Sequence, residues 1–226
     1  MDFSKIIEIR NARSSRSAVP FRVFYAASSQ CIAAGRELTQ ETVETNHTRL
    51  LERSVVITFV THVEVYFKDM LDAIFRQCDP DFFRPKLRHL HNQKYGIDEL
   101  LEIYERQIHP LELISGDVSF QSTASIDRVF SKFLGAGLWD TAINTRIRLP
   151  NQPKTEIKFE AEYLRCLERT FELRHNLVHN PSDAPHITDS VMNDIDFAQG
   201  LMLAADIVLL NMLAEHRDPQ LETETQ

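Results

Sequence analysis

Glycine is scarce in this chain, with 6 among 226 residues, and turn signals do not recur at the roughly 8–12-residue spacing of a β-sandwich or barrel. Both β architectures are thereby excluded. Cysteine is nearly absent. Cys31, Cys78 and Cys166 stand far apart, with no C-x-x-C pair. An odd count excludes a fully paired disulfide framework and points to a reducing, cytoplasmic compartment. Net positive charge is lacking too: 33 acidic residues outweigh 25 basic ones, for a net charge of −8. Bulk charge therefore does not announce a nucleic-acid binder, and any such contact needs a local basic patch. No long hydrophobic run occurs either. The most apolar late stretch, "LMLAADIVLLNMLA", is broken by Asp206 and Asn211 and falls short of the roughly 20 apolar residues that cross a bilayer. The opening "MDFSKIIEIRNARSSR" mixes charges and has no apolar core of signal-peptide length. No membrane segment is expected.

What is present is helical periodicity. Leu51, Val55, Phe59, Val63, Tyr66, Met70 and Ile74 recur at spacings of three and four, which predicts a long helix from about Thr45 to Gln77. Its sub-stretch "VVITFV" is β-branched, but the length of the surrounding pattern favours helix. "IDELLEIYERQI" (97–108) and "ASIDRVFSKFL" (124–134) read as shorter helices. A helix from about Glu156 to His179 carries Phe159, Tyr163, Leu167, Thr170, Leu173 and Leu177, and a last one spans about Asp189 to His216. Residues 21–38 read as a helix or, at "FRVFY", a short strand. "PDFFRPKLRHLHNQKYG" reads as a loop, and "LWDTAINTRIRLPNQPK" as a long irregular connection. The fold class expected is all-α. Residues 1–40 form an arm or helix, 45–216 the main helical domain, and 217–226 a frayed tail.

One segment concentrates proton-handling groups. "FELRHNLVHNPSDAP" places Arg174, His175, Asn176, His179 and Asn180 within seven positions. His175 and His179 share a helix face, whereas Arg174 and His179 are about 140° apart on an ideal helix. Three explanations compete. Histidine and asparagine can satisfy the free carbonyls of a helix C-terminus. Two histidines at i, i+4 are a zinc-ligand spacing, for which Asp183 or His186 would supply the third ligand. Histidine and arginine can also perform metal-free phosphodiester chemistry, as acid or base and as charge stabiliser.

"LRHNLVHN" resembles the R-x(4–6)-H motif of HEPN-domain proteins, with Arg174 and His179 in the defining positions and His175 as the polar residue after the arginine. The motif closes one long helix and precedes another. Upstream, "VVITFVTHVEVYFKDMLDAIF" and "FQSTASIDRVFSKFLG" are similar to earlier parts of such domains, so the resemblance covers roughly residues 45–215. It implies a HEPN-like helical bundle with two long antiparallel C-terminal helices. It also implies a metal-independent endoribonuclease without cofactor, working as a homodimer whose two motifs form one composite cleft. Toxin or antiphage defence roles, with a cognate antitoxin or defence partner, come with the family. So does the alternative of a non-catalytic RNA-binding or dimerisation module. Some toxin members carry a tyrosine two positions after the histidine. Here that position is Pro181, so nothing involving that tyrosine carries over.

The residues support this chemistry. RNA supplies its own 2′-hydroxyl nucleophile, so a base, an acid and a cation suffice. His179 is the expected acid or base, and Arg174 the phosphate cation. His175 and Asn176 are placed in the same cleft. Glu64 reads either as an orienting carboxylate or as a partly exposed surface glutamate. For RNA grip, the densest basic stretch holds Arg84, Lys86, Arg88 and Lys94, interleaved with Phe82, Phe83 and Tyr95. Arg10, Arg13 and Arg16 form a weaker set.

Overall fold

The computed structural model describes residues 3–4, 6–8, 19–40, 45–87, 94–149, 152–180 and 186–220. It is all-α apart from one small hairpin among these residues. Helix α1 spans Pro20–Leu38 and α2 spans Asn46–Gln77. Four shorter helices follow: α3 (Pro80–Leu87), α4 (Ile97–Glu105), α5 (Pro110–Asp117) and α6 (Thr123–Leu134). Then come α7 (Leu138–Ile143), the strands β1 (Arg146–Leu149) and β2 (Gln152–Lys158), and the long helices α8 (Ala161–His179) and α9 (Asp189–Glu215).

The central element is α2. Thr45 caps it, its Oγ1 accepting the Thr48 N–H at 3.0 Å. Asp79-Pro80 ends it: Cys78 is already extended, at φ −87° and ψ 152°. Val56, Phe59, Val63, Phe67, Met70, Leu71 and Ile74 on this helix are fully buried, each such side chain contributing roughly 1.5–3 kcal/mol of hydrophobic stabilisation. Phe67 sits among Tyr66, Phe120, Phe130 and Trp139, with ring centroids 5.0–5.9 Å away. Residues 21–38 are helical and not extended. Pro20, with its fixed φ, opens α1, and Phe24 and Leu38 enter the same core as α2. At Gly35 the helices nearly touch: an added Cβ would lie 2.5 Å from Met192 Sδ on α9.

Helices α8 and α9 pack antiparallel. Tyr163 meets Phe197 edge-on at 4.9 Å, and further along Arg169 pairs with Asp194 at 2.6 Å. Among the described residues α9 is the one helix long and apolar enough to cross a membrane. Its Met192, Ile195, Leu201, Met202 and Leu209 are instead fully buried in the core. Polar links also reach it. Arg36 on α1 pairs with Asp196 and donates to Asn193 Oδ1 at 2.7 Å.

Two stretches differ from the sequence expectation. The connection expected to be irregular forms α7 and the hairpin, where Ile147 pairs with Ile157 and both pack onto the core. Pro153 is tolerated in β2 because a two-stranded hairpin has only edge strands. Helix α8 accordingly begins at Ala161 and not at Glu156. The segment read as a loop begins with α3, whose first turn is fixed by Asp79 Oδ1 accepting from Asp81 N at 2.8 Å. Helix α6 ends at Gly135, whose φ of +71° favours glycine. Asp127 then accepts from Leu138 N at 2.7 Å, holding the start of α7.

Candidate functional site

The proposed site lies at the C-terminal end of α8. Pro181 disfavours helical geometry at Asn180, and Asn180 takes φ −127° and ψ 64°. Its N–H still donates to Asn176 O at 2.8 Å, so the helix stays wound through both histidines. Leu167, Phe171 and Leu177 bury one face of α8. Arg174 lies at the border of that face, half-buried, whereas His175, Asn176, Val178, His179 and Asn180 are exposed. The helix phase thus separates the arginine from His179, as the spacing predicts. The histidine rings meet: His175 and His179 lie 4.4 Å apart, tilted by 46°.

Arg174 reaches the segment before α6. Its Nη1 donates to Gln121 Oε1 at 3.4 Å. Gln121 Nε2 donates to Glu64 Oε2 at 3.3 Å, and Glu64 pairs with Lys68 at 3.0 Å. A polar relay therefore joins α8, the segment before α6, and α2. It draws in Glu64, whose side chain is 18% exposed. Arg174 Nε is buried and without a hydrogen-bond partner, which leaves one donor of the guanidinium unanswered.

Gln121 was not marked by the sequence. It immediately precedes Ser122, whose hydroxyl caps α6. That position is recognisable as a helix entry, but its contact with two distant helices is not. A second unmarked residue is Glu52, only 8% exposed, whose carboxylate faces His186 Nδ1 at 3.2 Å. His186 thus has a carboxylate partner across on α2. Asp183 lies outside the described residues. Among the described residues no three histidine, cysteine or acidic side chains form a metal-binding group. The three cysteines are free thiols.

The basic stretch is only partly free to meet RNA. Lys86 Nζ lies 3.3 Å above the Phe82 ring and donates to Phe133 O at 3.2 Å, and burial pushes its pKa down. Arg84 is exposed, with Asp81 3.9 Å away, and Lys94 is exposed. Arg88 lies outside the described residues, as do Arg10, Arg13 and Arg16. The interleaved aromatics serve packing. Phe83 is 4% exposed, Phe82 stacks on His216 at 3.7 Å, and Tyr95 packs against the cluster of Phe3, Ile6, Ile108 and Leu113. Lys86 meets the far end of α6, and Gln121 precedes its start. From Thr123 to Phe133 that helix runs about 15 Å at 1.5 Å per residue, so Lys86 and the Arg174 relay sit at opposite ends. Neither protein-family models, nor curated proteins, nor solved structures give a match to this chain.

Proposed function

We propose that the chain is a metal-independent endoribonuclease of the HEPN type, with Arg174 and His179 as its principal groups. The carrying observation is the exposed end of α8, where the His175 and His179 rings pair at 4.4 Å beside a half-buried arginine. The resemblance of the R-x-x-x-x-H segment, and of its setting between two long helices, supports the same reading.

Histidine accepts the 2′-hydroxyl proton and the oxygen attacks phosphorus. The bond to the 5′-oxygen breaks, a second histidine protonates that oxygen, and a 2′,3′-cyclic phosphate results. Arginine offers paired donors to the phosphate oxygens. Within one chain Arg174 and His179 diverge, so a homodimer that sets two α8 ends face to face supplies arginine and histidine to one cleft. The exposed Val178, His175 and His179 leave that face open to a second copy. Toxin–antitoxin or antiphage defence is the setting the resemblance suggests.

The relay also favours a second reading. An Arg174 held by Gln121, which in turn donates to Glu64, fits a non-catalytic module in which the relay braces α8 against α2. Incubating the purified chain with RNA in EDTA separates the two. Cleavage to 2′,3′-cyclic ends that is lost in both Arg174→Ala and His179→Ala is expected. RNA binding without cleavage assigns the second reading. Cleavage that requires a metal, or that persists in His179→Ala, overturns the first.

A further inference from the structure

Helix α4 turns an apolar stripe outward. Ile97, Leu100, Leu101 and Tyr104 are 72%, 48%, 53% and 82% exposed. Their i, i+3, i+4, i+7 spacing confines them to about 100° of the helix surface. Ile103 points elsewhere and packs with the cluster of Phe3, Ile6, Ile108 and Leu113. The helix is thus held by its flank, while the face that periodicity would assign to a core is bare. Single exposed apolar residues are ordinary, but a contiguous group marks an interaction surface. Anchors at this spacing are those used when one helix lies in the groove of another.

Charge selects the occupant. The sequence of α4, "IDELLEIYE", has four carboxylates and no lysine or arginine. Asp98 and Glu105 are exposed on one border of the stripe. Between them Glu102 pairs with Arg106 at 2.8 Å, and that arginine also donates to Ser4 Oγ at 3.3 Å. Such a border repels RNA phosphates and anionic lipid headgroups. It also repels a second α4 laid stripe to stripe. A chain that brings cations alongside apolar anchors is attracted on both counts.

We infer that α4 is a docking surface for a basic amphipathic helix of a partner protein. The partner's apolar anchors cover Leu100, Leu101 and Tyr104, and its lysines or arginines meet Asp98 and Glu105. This surface shares no residue with the α8 end.

The test uses the full chain and two fluorescein-labelled synthetic helical peptides with the same leucine stripe, one flanked by lysines and the other by glutamates. Anisotropy titration should show the lysine peptide binding at least about tenfold more tightly, with affinity falling as salt rises. Leu101→Asp and Tyr104→Asp, both at exposed positions, should abolish binding while circular dichroism stays unchanged. Asp98→Lys with Glu105→Lys should reverse the preference toward the glutamate peptide. Equal binding of the two peptides, no binding, or binding that survives Leu101→Asp overturns the proposal. Sedimentation equilibrium covers the remaining occupant: a dimer of the chain that Leu101→Asp dissociates gives the face to a second copy and overturns it as well.

Discussion

Arg174 donates to Gln121 across 3.4 Å, and this contact sets the direction of the guanidinium at the α8 end. Gln121 is exposed and carries little of the fold. It holds Arg174 through a long hydrogen bond and passes the link to Glu64. Gln121→Met keeps the length and removes both bonds. The expected result is a roughly threefold to tenfold loss of RNA cleavage, or about 0.7–1.4 kcal/mol, which is what one long hydrogen bond supplies, with the melting temperature unchanged. Glu64→Gln should act in the same direction and add little to Gln121→Met, because both break one relay. Fully additive losses in the double variant would show two independent sites.

The divergence of Arg174 and His179 on α8 leads to a complementation experiment. Arg174→Ala and His179→Ala chains are each expected to be inactive alone. Mixed after dissociation, a share of the heterodimers holds one cleft with both wild-type groups, and activity should return to a measurable fraction of wild type. Cleavage at full rate by a species that sediments as a monomer would remove the composite site.

The sequence displayed the helices whose stripes are deep in the core. The three-and-four spacing in α2 and α9 survives because each faces apolar neighbours along most of its length, and Thr45 marks the start of α2 unaided. The hairpin was hidden because Pro150 and Pro153 dominate a local reading, although Ile147 and Ile157 alternate as strand residues should. Helix α3 was hidden for a related reason: Pro85 and the basic residues suggested a loop. Phe82 and Phe83 then looked available to stack on bases, when their rings are occupied by His216 and the core. Residues 97–108 were legible as a helix, but the exposure of Ile97, Leu100, Leu101 and Tyr104 was not, because burial depends on where the other elements pack. At the proposed site, type and spacing singled out Arg174, His175 and His179. Gln121 was not singled out, because its role exists only once α2 and α8 converge on it.

Lys86 offers a direct way to separate grip from packing. Its contacts with the Phe82 ring and the Phe133 carbonyl predict that Lys86→Ala lowers stability by about 1 kcal/mol without changing the salt dependence of RNA binding. Arg84→Ala and Lys94→Ala should leave stability unchanged, since both side chains are exposed. If these two cations contact phosphates, their loss weakens binding and flattens the salt slope by about one counterion each. Urea denaturation and salt-dependent binding titrations read the two effects separately. A flattened slope in Lys86→Ala at unchanged stability would restore Lys86 to the RNA surface.

Asp206 gives the pH prediction. Its carboxylate accepts the Tyr66 hydroxyl at 2.9 Å inside the core. Burial pushes its pKa from 3.8 up to about 6, against the opposing pull of that hydrogen bond. The folded chain therefore binds this proton more readily than the unfolded chain does. The resulting stability is fully present below about pH 4 and is lost as pH rises through about 6. Above that range a buried charge remains, with a hydroxyl as its partner. Asp206→Asn retains an oxygen for Tyr66 and removes the charge. The variant should be more stable than wild type by about 1–3 kcal/mol at pH 7.5, and the difference should shrink toward zero as pH falls to 4. Calorimetric unfolding of both chains across that range measures it. A difference that stays constant with pH would mean that Asp206 has the same affinity for its proton in the folded and unfolded states, and that the Tyr66 bond fully offsets its burial.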